Sequence, residues 1–252
     1  METQTFLTRV ADRQWHALDD DRVVGRGYAE RRPDGRLFVS VDAWHETTFD
    51  RLAAAMLAEL PAPVYTVTDE ADTDLTAAWL RAGFTVRRRE WEYAVPTHPR
   101  LTGLEQTPPA GVRILPAGQA DEHLLRAVDR AIRDEIEAGA GWQSMPAEVI
   151  PRHAGDTIVD PSKYAVAATP DGYLGLIRVV VGNRPRIGLL AVRAGARRRG
   201  IGRALLAHAL GTLHRAGFTE AWTEVQESNA AASALFASVG ALPVGSNLEL
   251  MR

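Results

Sequence analysis

The pattern of apolar and polar residues changes its period near residue 195. Residues 186–192 form a nearly continuous apolar run, which is typical of a strand buried on both faces. After this run, apolar residues recur at the spacing of one helix face, at Ile201, Leu205, Leu206, Ala209, Leu210 and Leu213. Gly217 is suited to end that helix. The pattern therefore predicts a buried strand followed by an amphipathic helix.

The turn between this strand and this helix combines glycine with arginine. Gly200 and Gly202 allow the backbone to approach a ligand closely. The first N–H groups of a helix lack partners within the helix, so they are able to bind an anion. Four arginines surround the turn: Arg197, Arg198, Arg199 and Arg203. Cations are disfavoured at a helix N-terminus, so the sequence predicts a bound phosphate there.

Two common phosphate motifs do not fit this turn. The interval from Gly195 to Gly200 is that of a nucleotide P-loop, but Ile201 and Gly202 stand where lysine and serine or threonine are needed. The dinucleotide fingerprint fails because no third glycine follows Gly202 at the required distance.

A second motif follows the turn at a defined distance. Residues 221–226 read as a strand, and a short helix then leads to a glycine. The helix carries the spacing Asn-x-x-Ala-x-x-Leu-Phe-x-x-x-Gly at Asn229, Ala232, Leu235, Phe236 and Gly240. Together the two motifs resemble the GNAT superfamily of N-acetyltransferases over Val112 to Arg252, and most closely its ribosomal-protein alanine acetyltransferase branch. Phe236 stands where the family usually has tyrosine.

The resemblance implies an α/β fold, with a mixed sheet and flanking helices, that takes acetyl-CoA as acyl donor. It implies that the pantetheine arm pairs with Leu190, Ala191 and Val192, and that the backbone N–H of Val192 stabilises the oxyanion. The implied contacts of the rest of the donor are Arg197, Arg198, Arg199, Gly200, Ile201, Gly202, Arg203, Ala204, Asn229 and Phe236.

Catalytic roles follow from the same resemblance. A protonated amine cannot attack a thioester, so a carboxylate has to remove its proton, and Glu224 matches the base proposed for that branch. The alternative is that Glu224 forms a surface ion pair. Phe236 cannot donate a proton to the leaving sulfur. Ser233 or water would then do so, or the step needs no donor, or this half only binds acyl-CoA.

The first half of the chain repeats the second motif. The intervals of Asn229 to Ala241 recur at Asp72, Leu75, Ala78, Trp79, Gly83 and Phe84. Residues 37–41 and 49–60 supply a matching strand and a helix that stops before Pro61. Residues 42–48 replace the arginine–glycine turn and contain two carboxylates. The sequence thus predicts two tandem GNAT-like domains, a layout similar to that of mycothiol synthases; an unrelated α/β cap is the alternative.

Proline-rich residues 96–111 separate the two halves. We therefore predict a degenerate domain at 1–95, a linker at 96–111 and an acetyl-CoA-binding catalytic domain at 112–252.

Composition excludes several other classes of protein. The 252 residues include no cysteine, so disulfides and an acyl-cysteine intermediate are excluded, and transfer by direct attack is expected. The net charge of −3 argues against a nucleic-acid partner. The seven histidines lack metal spacing. No apolar run is long enough for a membrane span and no export signal is apparent, so a cytoplasmic location is expected. The oligomeric state is not predicted.

The segment before the core strands is expected to select the acceptor. Residues 124–136 carry an apolar helix face, and acidic residues and a tryptophan follow at Asp134, Glu137 and Trp142. These three residues would suit a cationic small-molecule amine. The alternatives are a solvated helix end beside a packed tryptophan and, for the whole protein, a protein N-terminal acetyltransferase.

Overall fold

The computed structural model describes residues 5–32, 35–104, 107–139, 141 and 159–252. The chain forms two compact units: residues 1–90 with 245–252, and residues 91–244. Two long strands, β6 (Thr85–Pro96) and β12 (Leu242–Met251), have residues in both units. The last residues of the chain therefore complete the first unit, and the strand that follows the first unit's helices contributes to the second.

The first unit contains a sheet of strand order β1-β2-β3-β4-β5-β12. Its remaining elements are β1 (Phe6–Ala11), β2 (Gln14–Asp19), β3 (Arg22–Arg31), β4 (Leu37–Ala43), α1 (Glu46–Glu59), β5 (Val64–Asp69) and α2 (Thr73–Arg81). Strands β1 to β4 are antiparallel, β5 is parallel to β4, and β12 is antiparallel to β5. Its core contains Phe49, Leu52 and Met56 of α1 together with Trp79 of α2.

The second unit contains a sheet of strand order β6-β11-β10-β9-β8-β7. Its remaining elements are α3 (Pro99–Thr102), β7 (Arg113–Leu115), α4 (Glu122–Ala138), β8 (Tyr164–Thr169), β9 (Gly172–Val180), β10 (Arg186–Val192), α5 (Ile201–Arg215), β11 (Glu220–Gln226) and α6 (Ala230–Ala237). Single 3₁₀ turns lie at Pro161–Lys163 and Ala194–Ala196. The last residue of β6 and the whole of α3 fall within residues 96–111, for which the sequence predicts a linker.

Helices cover both faces of this second sheet. Ile177 and Ala165 pack with α5, whereas their neighbours Leu176 and Tyr164 pack with α4. Because side chains alternate between the faces of a strand, α4 and α5 must lie on opposite faces. The apolar run of β10 is used in the same way, since Ile187 and Leu190 contact the α5 core and Leu189 contacts the α4 core.

The internal repeat is visible in matching hydrogen bonds from backbone N–H groups to side chains. Asp72 Oδ1 accepts a bond of 3.0 Å from Leu75 N and caps α2, and Asn229 Oδ1 accepts one of 3.1 Å from Ala232 N and caps α6. Both helices end at a glycine with positive φ, 89° at Gly83 and 76° at Gly240. Such caps satisfy the terminal backbone groups of a helix without tertiary contacts. The predicted repeat therefore corresponds to two copies of one helical unit.

Candidate functional site

Strands β10 and β11 separate soon after they begin to pair. Their parallel register joins Arg186 to Trp222, and the Thr223 hydroxyl donates to the carbonyl of Ile187 at 3.1 Å. Strand β9 pairs with the other edge of β10 as far as Val192. In the described part of the chain no register pair with β11 is recorded beyond Arg186, so one edge of residues 190–192 faces a cleft. An extended ligand is able to pair with such an edge as an added strand.

The turn that follows β10 has the geometry of an anion site. Gly200 is the N-cap of α5, with φ 83°, and no side chain caps this helix. Arg198 also has positive φ, 62°, which is unusual and strained for a residue with a side chain. The N–H groups of the first turn of α5 lack partners within the helix, so they are able to bind an anion. The arginine–glycine turn therefore carries its binding groups in the backbone itself.

The side chains of this turn add positive charge. Arg197, Arg198, Arg199 and Arg203 are exposed, and among the described residues none of them has a recorded ion pair. Arg197 Nε donates to the carbonyl of Val192 at 3.2 Å, so this guanidinium is held at the end of β10. Ile201 and Ala204 are buried, so their contribution to a ligand would come from the backbone.

Glu224 lies on β11 beside the cleft, opposite the face that packs on α5. Its neighbours Ala221 and Val225 belong to the α5 core, so Glu224 and Trp222 point to the other face. The Arg186 guanidinium donates to the Glu224 carboxylate, and the two side chains are 42% and 25% exposed. The ion pair therefore holds the Glu224 carboxylate at the start of the cleft. The sequence left two alternatives for Glu224, a base beside the thioester and a member of an ion pair. In the structure Glu224 lies beside the cleft and also forms the ion pair.

Asn229 and Phe236 occupy structural positions. The Asn229 side chain is used as the cap of α6. Phe236 is 4% exposed, belongs to the α5 core and stacks on Tyr93 with ring centroids 6.4 Å apart. Their assignment as donor contacts stays a prediction.

The predicted acceptor residues are only partly described. Asp134 and Glu137 are exposed near the end of α4, and Trp142 lies outside the described residues. The assignment of these three residues to the acceptor stays a prediction.

Sequence reasoning missed the role of Glu135. Its carboxylate accepts bonds from Arg193 Nε at 2.7 Å and from the backbone N–H of Ala194 at 2.6 Å. Burial raises the pKa of this carboxyl, but the bonds to Arg193 and Ala194 and the charges of Arg193 and Arg197 outweigh burial and lower its pKa. Glu135 therefore attaches α4 to the start of the arginine–glycine turn. Its place in an acidic run was visible in the sequence, but its partner 58 residues away was not.

Two further features of the described residues bear on the class of site. Across the described ranges, no cluster of three or more histidine, aspartate or glutamate side chains is placed to hold a metal ion. The same residues include no helix that is long and apolar enough to cross a membrane.

Residues 131–241 match the acetyltransferase (GNAT) family. The second unit carries a GNAT acetyltransferase domain. A stretch of 51 residues is 47% identical to the [Ribosomal protein bS18]-alanine N-acetyltransferase of Escherichia coli (strain K12); it is 20% of this chain and 34% of that enzyme. The chain thus spans about a third of the length of the curated relative that it matches. The predicted resemblance to the GNAT superfamily and to this branch is confirmed.

Solved structures extend the likeness in fold to both units. A GCN5-related N-acetyltransferase from Sphaerobacter thermophilus has a TM-score of 0.68 at 16% identity, covering 97% of this chain and 82% of that one. A tandem GNAT protein from the clavulanic acid biosynthesis pathway has a TM-score of 0.66 at 14% identity, covering 95% and 82%. At these identities the likeness concerns the fold alone. The predicted α/β fold with a tandem GNAT-like arrangement is confirmed.

Proposed function

We propose that this protein is a cytoplasmic N-acetyltransferase that transfers acetyl from acetyl-CoA to a primary amine of a small molecule by direct attack. The observation that carries the proposal is the junction of the β10–β11 cleft with the arginine–glycine turn. The cleft offers backbone groups to an extended chain, and the turn beside it offers N–H groups and the positive charge of exposed arginines to a pyrophosphate. Acetyl-CoA combines those two chemical features in one molecule.

In the proposed reaction, the acceptor nitrogen bonds to the carbonyl carbon of the thioester, the carbon–sulfur bond breaks, and its electron pair leaves on sulfur. Glu224 accepts the proton that the amine loses, directly or through water. The backbone N–H of Val192 donates to the carbonyl oxygen as negative charge develops there. A thiol with a pKa of about 8.5 is able to leave as thiolate without a proton donor. That property is consistent with a buried phenylalanine at position 236.

The ion pair with Arg186 has a defined place in this proposal. Arg186 donates to the Glu224 carboxylate and so holds it beside the cleft, where the amine of the acceptor would lie. The acceptor's own deprotonation at higher pH should assist the reaction.

A second candidate is acetylation of a protein N-terminus. It is supported by the similarity of 51 residues to the bS18-alanine acetyltransferase. A third candidate is acyl-CoA binding without transfer. It is supported by the buried Phe236, which cannot donate a proton to the leaving sulfur.

One experiment distinguishes the three candidate functions. Calorimetry measures acetyl-CoA binding, and thiol release is followed with small amines, with short peptides bearing free N-termini, and with no acceptor. We expect binding and amine-dependent thiol release. Release with peptides alone favours the second candidate, and binding without any acceptor-dependent release favours the third. No binding of acetyl-CoA contradicts the proposal altogether.

A further inference from the structure

One arginine of the second unit lies at the cleft without a carboxylate partner. Arg178 is on β9, opposite Leu189 of β10, and its side chain is partly buried. Within the described ranges neither an ion pair nor a side-chain hydrogen bond is recorded for it. Taking a guanidinium partly out of water without a counter-charge is unfavourable. An anionic ligand beside Arg178 would therefore be bound favourably.

The position of the guanidinium is defined by Gly188. The register between β9 and β10 shifts at this residue, between Ile187 and Leu189. A Cβ built on Gly188 would lie 3.0 Å from Arg178 Nη1, so the guanidinium crosses over the backbone of β10 there. Because β10 and β11 separate beyond Arg186, Arg178 reaches the point where the cleft begins.

Arg178 also shares a face of the sheet with Glu224. Arg178 lies opposite Leu189, which contacts the α4 core, and its charge acts on Tyr164 of that same core. Glu224 points away from α5, to the same side. The proposed base and this guanidinium therefore face one space beside the cleft.

Three described carboxylates on this face already have arginine partners. Asp129, which is 2% exposed, accepts bonds from Arg133 at 2.5 and 3.3 Å. Glu224 pairs with Arg186, and Glu92 lies 3.8 Å from Arg184. Among the described residues, none of these three carboxylates is therefore recorded as a partner of Arg178.

We infer that Arg178 binds a carboxylate of the acceptor, so that the acceptor is a small amino acid-like molecule with its amine directed at the cleft. A guanidinium forms two parallel hydrogen bonds with a carboxylate, which fixes orientation as well as position. The amine of the same molecule then lies towards Glu224. The inference rests on the proposed acyl transfer and assigns its substrate class.

Matched acceptor pairs test the inference. Thiol release is measured for glycine against glycinamide, β-alanine against β-alaninamide, and 2-aminoethyl phosphate against ethanolamine. We expect the wild-type protein to prefer the carboxylates to their amides. In Arg178→Gln, kcat/KM for the carboxylates should fall about 10- to 100-fold, mainly through KM, and values for the amides should stay within about twofold.

Two further variants separate charge from geometry. Arg178→Lys keeps the charge but loses the paired bonds, so it should recover part of the preference. Gly188→Ala places a methyl group against the guanidinium and should weaken the preference while both charges remain. Arg126→Gln, at an exposed arginine on α4 that pairs with Glu122, is the control and should match the wild type.

The possible results separate this inference from the proposed function. Equal use of carboxylates and amides, or equal losses for both in Arg178→Gln, overturns the inference and leaves the acyl transfer standing. A preference for the phosphate over every carboxylate overturns the carboxylate assignment. Acetyl-CoA binding with no transfer to any amine removes the proposed function and this inference with it.

Discussion

The two units share the order strand, helix, strand, short helix, at β4-α1-β5-α2 and at β10-α5-β11-α6, and they differ in the turn that precedes the longer helix. In the first, β4 and β5 are parallel partners at Phe38 and Tyr65, and in the second β10 and β11 are partners at Arg186 and Trp222. In both units, the described residues of the two parallel strands form no register pair beyond that point. The separation of the two strands is therefore common to both units. The chemistry of a donor site has to come from the turn that follows.

The two turns have opposite electrostatic character. Helix α1 starts after His45 with Glu46 in its first turn, and Glu46 lies 2.7 Å from Arg81. Helix α5 starts after Gly200 with arginines around it and with positive φ at two residues. Carboxylates repel phosphate, whereas the second turn attracts it. If the proposed donor site is correct, the separated strands alone do not bind the donor, and the turn supplies the groups that do.

The largest expected effect concerns Glu224. Aligning Asp72 with Asn229 puts Val67 of β5 at the position of Glu224. We expect Glu224→Gln to lower kcat/KM about 10²- to 10⁴-fold at neutral pH, because the amine loses its proton acceptor. The loss should shrink towards pH 10, where amines deprotonate unaided. The control Val67→Gln should retain full activity; unchanged turnover of Glu224→Gln at every pH would show that Glu224 is not the base.

The next largest effect concerns acetyl-CoA binding and compares the second residue of α5 with the second residue of α1. Gly202 occupies that place in α5 and Thr47 in α1. Gly202→Leu should weaken acetyl-CoA binding at least about 100-fold, because its side chain would occupy the approach to the helix N–H groups. A Cβ at Gly202 meets only Val192 Cγ2, at 3.8 Å, so the thermal midpoint should change little. Thr47→Leu should bind normally, and equal affinity in both variants contradicts the assignment of the donor to the second unit.

Removing either of the two matched helix caps should lower stability by the same small amount. Asp72→Ala and Asn229→Ala each remove one cap bond of α2 or α6. Each should lower the free energy of unfolding by about 1 kcal/mol, as measured by urea denaturation. Asn229→Ala should leave acetyl-CoA affinity at the wild-type value if the side chain is a cap alone. A specific loss of affinity there restores Asn229 to the donor site.

The smallest effect is pH dependent and belongs to Glu135, whose bonds attach α4 to the arginine–glycine turn. Its folded-state pKa is lowered, so its stabilisation is present above the unfolded value of about 4.3 and is lost as pH falls through the folded value. Glu135→Gln should therefore destabilise the protein by about 1 kcal/mol at neutral pH, and the difference should disappear in acid. A difference that is constant with pH contradicts this charge-dependent attachment.

Local patterns predicted most of the fold correctly. Helix α5 begins at Ile201 as predicted, α1 ends before Pro61, and the strand predicted at 221–226 is β11. The caps at Asp72 and Asn229 were not predicted, although a cap and its helix are adjacent in sequence. The pairing of β12 with β5 was not readable, since nothing within either strand specifies a partner more than 170 residues away.

The same division applies to the site. By itself, the sequence determined the order strand, arginine–glycine turn, helix, and the absence of that turn from the first unit, because these features depend on neighbouring residues. The tertiary structure decided that Glu135 holds the turn, that Arg186 pairs with Glu224, and that Arg178 crosses Gly188. Each of these contacts depends on which strands and helices become neighbours. That choice minimises exposed apolar surface over the whole unit, so no single segment encodes it.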